Sequence, residues 1–93
     1  MTVKPAFSTR LTAAGNIKAS NGILECAIVS NPTATGGNAS FVNATSGTGV
    51  YVFDVYVRAG DTQYMVFPSD FGFSTGIRVG TMDTGLVVTG VYV

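Results

Sequence analysis

The chain has 93 residues, 46% hydrophobic and only 11% charged, and its five basic and five acidic side chains cancel. Ordinary soluble domains carry about 25% charged residues, so the polar surface has to be built from Thr, Ser, Asn and Gly. Without a basic cluster there is no field to attract a nucleic-acid backbone. The lone Cys26 rules out an intramolecular disulfide or a cysteine zinc cluster, and the absence of histidine removes the commonest metal ligand and general base.

The length corresponds to one small domain, which buries roughly 60–65% of the surface that its unfolded chain exposes. No apolar run approaches the roughly 18 residues of a membrane span, because Glu25, Asp54 and Arg58 interrupt or bound the longest ones. The opening Met1 to Ser8 lacks the apolar core of a signal peptide. The expectation is a soluble protein made in a cytoplasm, with no membrane contact.

In chain order, the hydrophobic period is two almost throughout, and short segments are bounded by Gly, Asn, Pro and Asp. Residues 1–6 contain Pro5 and no turn signal, and read either as an extended arm reaching a neighbour or as a frayed terminus. The single domain spans 7–93. Phe7 to Ala13 is predicted as a half-buried strand with Phe7, Leu11 and Ala13 on one face. Ile17 to Ala19 is a short strand and Asn21-Gly22 a tight turn. Ile23 to Val29 follows, with Leu24, Cys26 and Ile28 expected on the core face opposite Glu25.

Asn31 to Asn38 is a loop, Ala39 to Asn43 a weaker strand, and Thr45 to Gly49 a link. Val50 to Arg58 is the strongest strand: Tyr51, Phe53, Val55 and Val57 make an apolar face, and Asp54, Tyr56 and Arg58 lie on the other. Ala59 to Asp61 turns the chain into a strand from Thr62 to Phe67, and Pro68 to Gly72 is a second turn. Gly72 to Val79 places Phe73, Ile77 and Val79 on one face.

The last strand, Leu86 to Val93, is apolar on both faces, with Leu86, Val88 and Tyr92 on one and Val87, Val91 and Val93 on the other. Such a strand is covered on both sides, either between two packed layers or in an assembly. Seven or eight strands at this spacing make an all-β fold, a small two-sheet antiparallel sandwich of jelly-roll or immunoglobulin-like type, or else a small barrel.

Asp83-Thr84-Gly85 is the tripeptide that carries the catalytic aspartate of aspartic proteases. A two-aspartate site needs that loop deep in the fold, with further strands after it. Here only eight residues follow, so the tripeptide reads as a turn. Nucleophilic catalysis lacks a histidine base, and the carboxylates Glu25, Asp54, Asp61, Asp70 and Asp83 are scattered rather than paired. The loops at Asp61 and Asp70 lack the alternating oxygen ligands of a calcium motif. Asn38-Ala-Ser40 and Asn43-Ala-Thr45 match the glycosylation pattern, which carries no meaning without a secretory signal. No catalytic, metal or cofactor residue is therefore expected.

One resemblance goes further. Ile17-Lys-Ala-Ser-Asn-Gly-Ile-Leu24, Ile28-Val-Ser-Asn31, Val57-Arg-Ala-Gly-Asp-Thr62, Phe67, Phe73-Ser-Thr-Gly-Ile-Arg-Val79 and the closing Leu86-Val-Val-Thr89 with Tyr92 follow one another in order. This succession resembles the small β-sandwich structural proteins of tailed bacteriophages, many of which are head decoration or cement proteins. The resemblance implies a non-enzymatic virion protein on the capsid outer surface. Its partner would be the major capsid protein, and it would form a homo-oligomer, trimer or dimer, on the lattice. The runner-up readings are a low-copy neck, tail or fibre-base component and a carbohydrate-binding module. The contact residues expected on this reading are Thr2, Val3, Lys4, Pro5 and Phe7 in the arm, and Val87, Val91 and Val93 on the last strand.

Overall fold

An alternating strand has one apolar face, and that face is stable only when packed against another layer. The structure, a computed structural model, describes residues 6–8 and 10–93. Among these every regular element is a strand: β1 Ala6–Phe7, β2 Gly15–Lys18, β3 Gly22–Ser30, β4 Gly37–Asn43, β5 Val50–Val57, β6 Thr62–Val66, β7 Gly72–Phe73, β8 Ile77–Met82 and β9 Val87–Tyr92. All pairings are antiparallel. One sheet runs β1-β9-β3-β6, with β7 also on β3, and the other runs β2-β8-β4-β5. With the short β7 set aside, this is the strand order of a jelly roll, two Greek keys folded into a sandwich.

The core lies between the sheets. Leu24, Ala27 and Val29 of β3 and Leu86 and Val88 beside β3 meet Ala39, Phe41, Val55, Val57, Ile77 and Val79 from the second sheet. A file of phenylalanines links the layers. Phe41 stacks on Phe53 with ring centroids 4.5 Å apart, Phe53 leans on Phe67 and Phe71 at 5.3 and 6.0 Å, and Phe71 meets Phe73 edge-on at 5.4 Å. Each such pair adds about 0.5–1.5 kcal/mol beyond its burial. The file runs from β4 and β5 through the Phe67–Phe71 loop to β7, and so ties the second sheet to the first.

A buried Asn31 fixes the corner where β3 leaves its sheet. Its amide donates to the carbonyls of Thr35 and Val57 at 2.8 and 2.9 Å, and its Oδ1 accepts from the Thr33 backbone N–H and hydroxyl at 3.0 and 2.6 Å. Its backbone N–H donates to the Asp61 carbonyl, and its carbonyl accepts from the N–H of Gly60, whose φ of +74° suits glycine. One residue thus closes both the loop after β3, through its side chain, and the turn between β5 and β6, through its backbone.

Several expectations are corrected. Leu24 pairs with Tyr92 and Cys26 with Val91, so Glu25 is an extra residue, a β-bulge that reverses the alternation of β3. Ala27 and Val29 are fully buried, while Cys26 and Ile28 move to the outer face, half-buried. A second register shift, between Phe41 and Val42, leaves Tyr51 55% exposed rather than in the core. The strand predicted over Phe7 to Ala13 is confined to Ala6–Phe7, followed by a single bridge from Leu11 to Val88; Leu11 packs on the core, and Phe7 and Ala13 are exposed. Ala6 belongs to β1, and residues 1–5 of the expected arm lie outside the described residues. The predicted strand from Gly72 to Val79 is split between the two sheets as β7 and β8.

The bulge is testable by a pair of substitutions. Ala27→Ser places a hydroxyl in the core and is expected to cost about 1–3 kcal/mol, whereas Cys26→Ser on the outer face costs less than about 1 kcal/mol. Urea unfolding of the two variants measures the difference, and an uninterrupted alternation would reverse their order.

Candidate functional site: the outer face of the first sheet

The pairing registers line up the outward side chains of the first sheet in rows. Phe7 lies beside Val91, Val91 beside Cys26, and Cys26 beside Val66, so one row crosses all four strands. The next row is Thr89, Ile28 and Tyr64, and the one after it Val87, Ser30 and Thr62. On the other side of the Phe7 row, Val93 exchanges backbone hydrogen bonds with Ile23. None of these side chains is charged. Phe7, Val66 and Tyr64 are 74%, 71% and 64% exposed, and Val87, Val91, Val93, Ile23, Cys26 and Ile28 are half-buried. An antiparallel sheet facing water on one side ordinarily alternates apolar-in with polar-out, and this face does not.

The second sheet is more polar over β2, β4 and β8, while its edge strand β5 exposes Val50, Tyr51, Val52 and Tyr56. Asn16 stands opposite Arg78, Ser40 opposite Asp54 and Asn38 opposite Tyr56. Arg78 donates to Asn16 Oδ1 at 3.2 Å and to the Gly47 carbonyl at 2.9 Å, and the Asn16 amide donates to the Thr45 carbonyl at 3.0 Å. Val42, fully buried on this side, packs closely over Gly80 near the Thr48 carbonyl. The Thr45–Gly49 link is therefore held down on a polar face by hydrogen bonds.

Of the contact residues expected from sequence, Phe7, Val87, Val91 and Val93 are brought together on the first sheet's outer face. Thr2, Val3, Lys4 and Pro5 lie outside the described residues. The last strand is central within its sheet, between β1 and β3, but only one of its faces is covered by a second layer. Sequence reasoning missed Cys26, Ile28, Tyr64 and Val66. The first two were hidden by the bulge; the exposure of the other two was open to a reading of Thr62–Val66 as an edge strand.

The remaining motifs have structural roles. Asp83 Oδ2 accepts from the Asn38 N–H at 2.8 Å, its carbonyl accepts from the Leu86 N–H, and Gly85 adopts a φ of +93°. Asp-Thr-Gly is thus the turn between β8 and β9, pinned to the start of β4. The other carboxylates sit apart, Glu25 on the bulge, Asp54 on β5, and Asp61 and Asp70 in separate turns. At one end of the sandwich an open depression of about 540 Å3 is lined by Lys18, Asn21, Ile23, Phe73 and Val93 among others. Its cation is engaged, since Lys18 Nζ donates to the Val93 carbonyl at 3.3 Å and lies 5.7 Å from the Tyr92 ring centroid.

An outer face that does not hold the fold together should tolerate charge. Val66→Lys is expected to shift unfolding stability by no more than about 0.5 kcal/mol while lowering the fluorescence of a dye that binds apolar surface. A loss of several kcal/mol in urea unfolding would mean that the face is part of the core. Comparison with family models, with curated proteins and with solved structures finds no match to this chain.

Proposed function

We propose that this chain is a non-enzymatic structural protein of a tailed-bacteriophage virion, a capsid decoration or cement protein that lies on the lattice of the major capsid protein. The observation that carries the reading is the uncharged apolar face formed by Phe7, Val91, Cys26, Val66, Ile28 and Tyr64. Contiguous exposed apolar surface of this kind marks an interaction site. A cement protein has to add contact area across the seams between subunits, which requires surface rather than a reactive centre. The net charge of zero lets copies lie side by side without repulsion, and many modest contacts sum over a lattice. The jelly-roll order lends support at the level of analogy, since the same architecture serves viral capsid and lectin domains.

Lectin-like binding is the second reading, favoured by the rings of Tyr51, Tyr56 and Tyr64, which are all more than half exposed. Carbohydrate modules use such rings as stacking platforms.

Quantitative mass spectrometry of purified virions is the test. A ratio to the major capsid protein between about one to three and one to one is expected for a lattice-wide decoration protein, and stripping the protein should lower the capsid's rupture temperature. A handful of copies would move it to the neck or tail. Absence from the virion, with retention on a glycan array, would replace the structural reading by the carbohydrate one. Val91→Lys is expected to abolish rebinding to stripped capsids while leaving the circular dichroism spectrum unchanged.

A further inference from the structure

The second sheet ends at β5, which among the described residues pairs only with β4. An edge strand presents a row of backbone donors and acceptors that invites another chain, and natural proteins usually blunt such edges with charges, proline or very short strands. β5 has eight residues, Val-Tyr-Val-Phe-Asp-Val-Tyr-Val, with no proline and a single charge, Asp54, and a bulge at Val52 leaves Phe53 to Val57 as its regular stretch. The next residue, Arg58, is exposed, as are Asp54 and Tyr56.

Asp54 and Tyr56 share a face of β5, and Arg58, the first residue beyond the strand, follows at the same two-residue spacing. Four residues along a strand span about 13 Å, so the carboxylate and the guanidinium of one chain cannot reach each other. Neither side chain forms a hydrogen bond or ion pair with another described residue. Two opposite charges, equidistant from a central tyrosine on an open edge, are self-complementary under a twofold axis through that tyrosine. We propose that β5 pairs antiparallel with β5 of a second copy of this chain, with Tyr56 opposite Tyr56 and each Asp54 opposite Arg58 of the other copy, joining the two second sheets into one.

The charges select this register. A twofold through Val55 puts Asp54 opposite Tyr56 and Arg58 opposite Val52, leaving both charges without a partner. A twofold through Asp54 puts two carboxylates face to face, and like charges directly opposite destabilise a pairing. Only the axis at Tyr56 matches both charges, twice. Asp54 is thus a guard against misaligned pairing as well as a contact in the aligned one. The contact is isologous and closes on itself as a dimer. It uses the edge of the second sheet and leaves the apolar outer face of the first sheet free, so it stands apart from the capsid reading and is tested without capsids.

The test is sedimentation velocity on the full chain across a concentration series, with circular dichroism as the control for folding. The wild type is expected to form a concentration-dependent dimer. Asp54→Arg and Arg58→Asp each turn both cross-strand pairs repulsive and should weaken dimerisation at least about tenfold. Mixing these two variants in equal amounts should restore a dimer, because the arginines of one then face the aspartates of the other. A second measurement does not depend on the charge variants folding: in a Cys26→Ser background, Tyr56→Cys should oxidise to a disulfide-linked dimer and Val52→Cys should not. A wild type that stays monomeric to its solubility limit, charge variants that dimerise like the wild type, a mixture that stays monomeric, or equal cross-linking at both cysteine positions would each overturn the proposal.

Discussion

The single extra residue in β3 is the constraint on which the rest depends. β3 is hydrogen-bonded to β9 on one side and to β6 and β7 on the other, so its side chains set the register for the whole first sheet. At Glu25 the alternation of the strand reverses. Before the bulge Leu24 faces the core; after it Ala27 and Val29 do. Small and branched residues at these positions leave room for Phe41 and Val57 from the opposite sheet, which are also fully buried. Without the bulge, Cys26 and Ile28 would point inward, and the apolar row across the outer face would lose its centre. A bulge bends and twists its strand as well as shifting it, and here it falls where β3 passes from β7 to β6.

A consequence is the difference between the two outer surfaces. The second sheet carries Asn, Ser, Arg and Asp outward, with Val50, Tyr51, Val52 and Tyr56 exposed along its edge strand, and secures its long loop with side-chain hydrogen bonds. The first sheet carries Val, Ile, Phe, Tyr and Cys outward, with hydroxyls as the polar groups of these rows and Glu25 apart from them on the bulge. Both sheets face one core, so core packing does not require this asymmetry. It is the kind of surface that a docking protein presents on one side and solvent on the other, and the reading of the chain as a capsid-surface protein rests there.

The edges complete the picture. A jelly roll of this size leaves four lateral edges. β1 and β2 are short, β6 is broken from β7 by the Phe67–Phe71 loop, and β5 remains long and nearly uncharged. Short or interrupted edges offer little to a second chain, so β5, whose stretch from Phe53 to Val57 runs without a register shift beyond its bulge at Val52, is the natural place for pairing between copies. A dimer edge and an apolar docking face on different parts of one small domain would let it meet its own copies and another surface at once.

By itself the sequence determined that the fold is all-β, that the strands are antiparallel and short, and that Asp83-Thr84-Gly85 is a turn, because a period of two and turn residues at loop positions are local properties. It also placed Phe73, Ile77 and Val79 in the core and Tyr56 outside it, although Phe73 and Ile77 belong to different sheets. Only the tertiary structure decided which face of β3 is inward, why Ala39 to Asn43 is an inner strand, paired on both sides, rather than a weak one, and how Phe7, Val87 and Val91 come to share a surface with Val66. A bulge has no local signature in a run such as Leu24-Glu-Cys-Ala-Ile-Val29, since either phase offers apolar residues to the core. The choice between phases is made by the partner strands, through hydrogen-bond register and the volume available across the sandwich, and those partners lie as many as 68 residues away along the chain, as in the pair Leu24 and Tyr92.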